Sequence, residues 1–374
     1  MNKFFPEIKK NFGFGFMRLP MVKGKVDFEE TSKMVDCFLE QGFNYFDTAH
    51  GYHSGESEKA IKECLTSRHG REEYILANKL SHGLFQPSPE GIRKYFQMQL
   101  EACGVDYFDF YLMHAQTVDY YADFKKCKAY ETALELKEEG KIRHFGISFH
   151  DKPELLEQIL AEYPQIEMVQ IQFNYLDYDD PGIQAGECYK VCERRGVPVA
   201  VMEPVRGGNL AHLPEDAARF LEDLGSGASQ ASYAVRYAAS FPGIAVVLSG
   251  MSNLAQLRDN LSYMKDFQPV TEVEMAALEK VKEAFRAKRM IACTACRYCT
   301  DGCPMNIPIP DLISDLNAKK QHRSWNADWY YSIHIQNHGR ASDCIECGQC
   351  EDVCPQRLPI IDTMKVVAEN FDKH

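Results

Sequence analysis

Short apolar, β-rich runs return along the chain at intervals filled by amphipathic stretches. The runs cover residues 12–17, 43–48, 74–79, 108–114, 142–148, 168–174, 198–203 and 244–250. Between them, residues 28–41, 89–103, 130–139 and 153–162 place apolar side chains three and four apart with charged ones between, the spacing of a helix with one buried face. Strands that are apolar throughout need covering on both faces, and helical crossovers between them make the sheet parallel. Eight such units predict a closed (β/α)8 TIM barrel. An open dinucleotide-type sheet would need about six strands and a glycine-rich first turn. Phe12-Gly13-Phe14-Gly15-Phe16 has two alternating glycines, lacks the third, and is read as the first barrel strand.

Past the eighth run the pattern changes. A helix is expected from about residue 253 and another over 272–289, after which Ile309, Leu312, Ile313 and Leu316, and then Ile360, Met364, Val367 and Phe371, follow helical spacing. A chain of 374 residues exceeds one barrel of about 250. The expected organisation is therefore a barrel over 1–287 and a smaller, mostly helical domain over 288–374. The 40 residues between Cys303 and Cys344 hold Trp325, Trp329, Tyr330 and Tyr331, expected to pack this insert onto the barrel or a partner.

The formal charge of −12 is uneven: residues 288–374 hold 10 Lys+Arg and 11 Asp+Glu, so the acidity lies in the barrel. Net negative charge without a basic stripe argues against nucleic acid or an anionic membrane as partner. No stretch has the apolar length to span a bilayer, and residues 1–10 lack the apolar centre of a signal peptide, so a cytoplasmic location is expected. Cysteine-rich composition without an export signal fits metal chemistry better than disulfides.

Eight of the 14 cysteines form two identical runs: Cys293, Cys296, Cys299, Cys303-Pro304, and Cys344, Cys347, Cys350, Cys354-Pro355. Each spells CxxCxxCxxxCP, which resembles the bacterial ferredoxin pattern and implies two [4Fe-4S] clusters. In that pattern the fourth cysteine serves the other cluster. One set would be Cys293, Cys296, Cys299 and Cys354, the other Cys344, Cys347, Cys350 and Cys303. Zinc knuckles would leave the three-plus-one spacing unexplained. Cys37, Cys64, Cys103, Cys127, Cys188 and Cys192 sit mostly among apolar residues and are expected to be small buried side chains.

Polar residues end the apolar runs: Asp47, Lys79, His114, Ser148 and Asn174. Barrel sites are assembled at that strand end, so these side chains should converge on one mouth. A phenol, with a reference pKa of about 10, is a poor acid near neutrality. An ammonium beside it would lower that value, so Tyr52 next to Lys79 is expected to become a usable proton donor. Asp47 would hold the lysine, and His114 would bond an oxygen acquiring negative charge. The set suits reduction of a carbonyl.

Asp47-Thr48-Ala49-His50-Gly51-Tyr52, followed by Ser57-Glu58, resembles the aldo-keto reductase signature DTAxxY...SE. The stretches 76–79, 104–114 and 140–148 match the same family, and the likeness covers about residues 10 to 265. It implies the catalytic tetrad Asp47, Tyr52, Lys79 and His114, with Tyr52 as general acid. It implies also that Ser148 and Gln170 bind the nicotinamide carboxamide, although Phe149 stands where asparagine is usual. Met202 replaces the aromatic residue that commonly stacks on nicotinamide, and Arg206 and Gly207 would border the pyrophosphate. Residues 249–260 resemble the adenosine-phosphate loop, with Gly250, Ser252, Gln256 and Asn260 as contacts. Gly250 and Gln256 occupy positions where members specific for NADPH often place basic residues. Family habit gives NADPH as the cofactor, with NADH the alternative.

Nicotinamide delivers two electrons together, whereas an iron-sulfur cluster passes one at a time. No flavin signature offers a converter. The expected function is therefore an NAD(P)H-dependent oxidoreductase interconverting a carbonyl (aldehyde, ketone or sugar) and an alcohol, with clusters that are structural or serve a redox protein partner. The alternative is an electron-transfer adaptor whose barrel is a nucleotide-binding dock. The substrate is not legible from the loops at 17–23, 81–87, 116–124 and 214–226.

Overall fold

The computed structural model describes residues 2–180, 182–287, 291, 293, 295–322, 326–354 and 356–372. Internal contacts divide the chain into two compact units. The first is built from Met1–Asn174, Ala185–Val205 and Ala231–Val270, the second from Tyr175–Gln184, Arg206–Gln230 and Thr271–His374.

The first unit contains the expected barrel. Its strands are β1 (Phe12–Gly15), β2 (Tyr45–Asp47), β3 (Ile75–Leu80), β4 (Phe108–Gln116), β5 (Ile142–Phe149), β6 (Met168–Gln172), β7 (Val199–Met202) and β8 (Ile244–Gly250). Each pairs in parallel with its neighbour in sequence, and β8 closes on β1. Several apolar runs extend a residue or two beyond the strands. Phe16 opens a 3-10 turn over Phe16–Arg18, and Phe43 and Phe173 are buried although they lie outside β2 and β6. Burial, not pairing, is what those residues report.

The barrel interior is closed by a segment that carries no strand or helix. Phe5 and Ile8 join Tyr45, Ile75, Phe110, Leu112, Met168 and Val246 in one apolar cluster. The Phe5 and Phe110 rings meet edge to face at 4.9 Å. Asn44 secures the segment, its Nδ2 donating to the Glu7 carbonyl at 2.9 Å and its Oδ1 accepting from Lys9 N at 3.0 Å. Burying a side chain such as Phe5 or Ile8 contributes about 1.5–3 kcal/mol. Gly13 is required by the same packing, since a Cβ there would lie 2.7 Å from Leu248 Cδ2.

The covering helices begin with side-chain caps. Asp27 accepts from Glu29 N and Glu30 N at the start of the Phe28–Glu40 helix, Ser88 accepts from Gly91 N, and Asn253 accepts from Gln256 N. Each cap satisfies an amide that the helix leaves unpaired and is worth about 1 kcal/mol.

In the second unit the helices Ile309–His322 and Ile360–Phe371 meet over a core of Ile309, Leu312, Ile313, Leu316, Ile360, Met364 and Val367. Tyr331 stacks on Phe371 at 4.5 Å and donates to Asp372 Oδ1 at 2.7 Å. Tyr330 is buried and Trp329 half-buried, whereas Trp325 lies outside the described residues. The Tyr175–Gln184 stretch is tied into this unit by side chains: Lys282 Nζ is 2.7 Å from Asp179 Oδ2, Ser314 Oγ donates to Asp180 Oδ1 at 3.2 Å, and His334 Nε2 lies 3.3 Å from the Gly182 carbonyl. No helix among the described residues is long and apolar enough to cross a membrane.

Candidate active site

Barrel register brings the polar strand ends to one level. Asp47 of β2 stands opposite Ala77 of β3, two residues before Lys79, and Ser148 of β5 stands opposite Gln170 of β6. Lys79 is fully buried and Asp47 is 4 % exposed. The Lys79 ammonium donates to Asp47 Oδ1 at 2.6 Å and to the Thr48 carbonyl at 2.9 Å. Gln170 Nε2 donates to the other Asp47 oxygen at 3.2 Å. Burial alone would depress the lysine, yet Asp47 and Tyr52 hold its pKa above the usual value, so it is an ammonium at neutral pH.

Tyr52 opens a 3-10 turn, Tyr52–Gly55, which contains two left-handed residues, His53 at φ 49° and Ser54 at φ 55°. Left-handed backbone at non-glycine residues is uncommon and clusters at functional sites. The turn sets the Tyr52 ring 5.0 Å from Lys79 Nζ and 5.9 Å from the His114 ring. The sequence-based expectation of a lowered phenol pKa is corrected here. Burial pushes the Tyr52 hydroxyl up, Lys79 pulls it down, Asp47 pushes it up again, and the net direction is upward. Burial outweighs the lysine's field, so Tyr52 is protonated across the neutral range.

His114 is held at Nδ1 by Ser81 Oγ, 2.7 Å away. Burial, then Lys79 and His150, keep the imidazole well below its usual pKa, and hence neutral. In the tautomer in which Ser81 donates to Nδ1, the ring proton sits on Nε2, where it can be donated to an oxygen. The next residue, Ala115, is left-handed at φ 52°.

Ser148 Oγ is a buried hydroxyl without a hydrogen-bond partner. An unsatisfied buried hydroxyl costs about 1–3 kcal/mol, and a carboxamide beside it would satisfy it. Asn174, grouped with the strand-end residues in the sequence, donates instead to the Glu203 carbonyl at 3.0 Å.

The eight motif cysteines line two cavities. Cys303 stands with Cys344, Cys347 and Cys350 around one, among Ile307, Ile309, Ile361 and Met364. Cys354 stands with Cys293, Cys296 and Cys299 around the other, walled by Ile309, Ile313, Leu358 and Ile360. Among the described residues no three His, Cys, Asp or Glu side chains close on a single-ion position; the thiols surround a volume instead. Four thiols in an apolar wall fit an iron-sulfur cluster. Burial pushes Cys299 and Cys350 up to about 11, so both are thiols until a metal displaces the proton.

Comparison with known proteins identifies both parts. The Aldo/keto reductase family matches residues 11–283, and the 4Fe-4S dicluster domain matches residues 292–358. The chain belongs to the aldo/keto reductase family. An uncharacterized oxidoreductase of Bacillus subtilis, YqkF, is 27% identical to this chain over 296 residues, 71% of this chain and 90% of that one. The NADH-specific methylglyoxal reductase of Escherichia coli is 29% identical over 196 residues, 47% of this chain and 57% of that one. Among solved structures, the holo form of aldo-keto reductase AKR11C1 from Bacillus halodurans is 28% identical, with a TM-score of 0.57 over 72% of this chain and 91% of that one. An aldo-keto reductase from Klebsiella pneumoniae in complex with NADPH shares the fold at 18% identity and a TM-score of 0.59, over 73% of this chain and 90% of that one.

The remaining nucleotide candidates fall in each unit as follows. Met202 ends β7, half-buried, and is followed by Glu203 in a left-handed conformation at φ 57°. Gly250 ends β8 opposite Gly15. Ser252 N donates to Gln256 Oε1 at 2.8 Å, and Asn260 is buried, its Nδ2 donating to the Gln256 carbonyl at 2.9 Å. Arg206 and Gly207 fall in the second unit. Arg206 is buried there with its Nε 3.1 Å from Oδ1 of the buried Asp177.

Sequence reading gave no role to a buried network behind Lys79. Glu58 Oε1 accepts from Asn78 Nδ2 at 2.9 Å and from Gln99 Nε2 at 3.1 Å, and its other oxygen lies 2.6 Å from His50 Nδ1. Gln99 also donates to the Lys79 carbonyl at 3.0 Å and accepts from the Tyr111 hydroxyl at 2.6 Å. Ser57 bonds Thr48 at 2.7 Å and the Phe16 carbonyl at 3.0 Å. The network fixes the backbone on both sides of the Lys79–Asp47 pair. Its signal in the sequence was the Ser57-Glu58 pair of the signature and Asn78 beside Lys79.

Proposed function

We propose that this chain reduces a small carbonyl compound, or oxidises the corresponding alcohol, with NADH or NADPH, using Asp47, Tyr52, Lys79 and His114, and that it carries two [4Fe-4S] clusters. The observation that carries the reading is the buried Lys79–Asp47 pair with the Tyr52 ring 5.0 Å from its ammonium. A protonated phenol there can give its proton to the substrate oxygen. The adjoining ammonium stabilises the phenolate left behind. His114, neutral and fixed by Ser81, donates to the same oxygen and orients the carbonyl. The nicotinamide supplies the hydride when bound. Ser148 and Gln170 are the groups available to hold its carboxamide, Met202 can cover a ring face with its thioether, and Gly250, Ser252, Gln256 and Asn260 are suited to the adenosine end.

The cluster assignment is crossed: Cys293, Cys296, Cys299 and Cys354 for one, and Cys344, Cys347, Cys350 and Cys303 for the other. Each set shares one apolar-walled cavity. In substrate class, a methylglyoxal reductase and an L-galactose dehydrogenase among the relatives favour short, polar aldehydes and sugars.

The test is loss of nicotinamide absorbance with aldehydes, ketones and sugars, in the wild type and in Tyr52→Phe, under anaerobic conditions. Loss of the proton donor should lower the rate about 100- to 10,000-fold while nucleotide affinity is retained. Equal rates in the two proteins would remove the assignment.

A further inference from the structure

Residues 251–257 form the loop and first turn of the Leu254–Met264 helix, whose free amides would ordinarily suit a phosphate. Three of those amides are already bonded within the fold, and one partner is a carboxylate from the other end of the sequence. Leu254 N donates to Glu30 Oε1 at 3.2 Å, Gln256 N to Asn253 Oδ1 at 2.9 Å, and Ser252 N to Gln256 Oε1 at 2.8 Å. Glu30 is itself fixed, because it stands in the first turn of the Phe28–Glu40 helix, where Asp27 accepts from its amide at 3.0 Å. Two cations near these groups face carboxylates: Arg18, whose side chain lies beside Gly250 and whose carbonyl accepts from Ser252 Oγ at 3.0 Å, has its Nη2 3.6 Å from Glu203, and Lys33 Nζ lies 2.8 Å from Glu29. Arg258 is exposed, one turn further along the helix.

We infer that Glu30 makes this chain select NADH over NADPH. The inference rests on the proposed nucleotide site and concerns the ribose end of it. A 2′-phosphate brought to this helix start meets a carboxylate in the position where an anion would bind, and like charges brought together are penalised. A free ribose hydroxyl meets the same carboxylate as a hydrogen-bond acceptor, the arrangement by which acidic residues recognise NAD in other dinucleotide sites. Attraction for one nucleotide and repulsion of the other come from a single side chain.

The experiment measures dissociation constants of NADH and NADPH by fluorescence titration of the cluster-loaded protein, in the wild type, Glu30→Gln and Arg258→Ala. Glutamine keeps an acceptor for Leu254 N, so the helix start is preserved and only the charge is removed. The wild type should bind NADH about tenfold more tightly, and Glu30→Gln should tighten NADPH about fivefold or more while leaving NADH within about twofold, a difference that narrows at high salt. Arg258→Ala should leave the wild-type preference in place. Tighter NADPH binding by the wild type, equal shifts for both nucleotides in Glu30→Gln, or reversal by Arg258→Ala would overturn the inference while leaving the reductase reading intact. Binding of neither nucleotide would overturn both.

Discussion

Asp47→Asn tests the ion pair on which the barrel mouth is built. At 2.6 Å the Lys79–Asp47 attraction is about 6 kcal/mol for an effective dielectric of about 20. Desolvation of two buried ions offsets much of this, and removal of one partner typically costs about 3–5 kcal/mol because the other charge is left unpaired. Asp47→Asn and Lys79→Met should each fall in that range. The double variant removes both charges, so its cost should be well below the sum, with a coupling of about 3 kcal/mol in the cycle. Urea denaturation followed by far-ultraviolet circular dichroism gives the three values. A thermal shift of roughly 6–20 °C for each single variant should accompany them, at about 2–4 °C per kcal/mol for a domain of this size. Single costs below about 1 kcal/mol, or a double variant equal to the sum within about 0.5 kcal/mol, would refute the reasoning.

Replacing Cys354 with serine should lower iron content and alter the electron paramagnetic resonance signal of the cluster held by Cys293, Cys296 and Cys299, leaving the other signal unchanged; loss of the signal assigned to Cys344, Cys347 and Cys350 would mean the sets are not crossed. His144, between Glu7 at 2.7 Å and Glu167 at 3.1 Å, gives stability a defined pH window. Burial opposes its charge, but Glu167 and Glu7 outweigh this and raise its pKa. Burial likewise opposes charge on Glu167, and His144 and Lys137 pull it down to about 2. The histidine's contribution is complete below about 6.5 and fades as pH rises through its raised folded value; that of Glu167 is complete above about 4.5 and fades toward 2. Thermal melts of His144→Gln against the wild type from pH 4 to 9 should show a deficit of roughly 1 kcal/mol near pH 5.5 that shrinks in alkali, and a deficit independent of pH would contradict it.

Eight strands were legible because each is a short apolar run that must be covered on both faces, and Asp47, Lys79 and His114 stood out as polar residues placed where those runs end, whereas Tyr52, in the turn after β2, came from the chemistry of a phenol near an ammonium and from the family resemblance. Local pattern carries such information. It does not carry contacts made across long stretches of chain. Phe5 and Ile8 have no periodicity to mark them as part of the barrel floor, and Glu30 meets Leu254 over a separation of 224 residues. The direction of the Tyr52 shift was misjudged for a related reason: a lysine beside a phenol can be read from sequence, whereas the depth of burial and the nearness of Asp47 are properties of the folded site. Asn174 ends an apolar run as the other strand-end residues do, and the partner that the run could not name is the carbonyl of Glu203, the residue after β7.

Two of the three stretches that form the second unit leave the ribosome long before the third. Tyr175–Gln184 and Arg206–Gln230 are synthesised ahead of Thr271–His374, which supplies Lys282, Ser314 and His334 to the first of them. During translation the barrel strands can close while these two segments still await their partners. Truncation of the chain after the barrel would therefore remove the side chains that anchor Tyr175–Gln184.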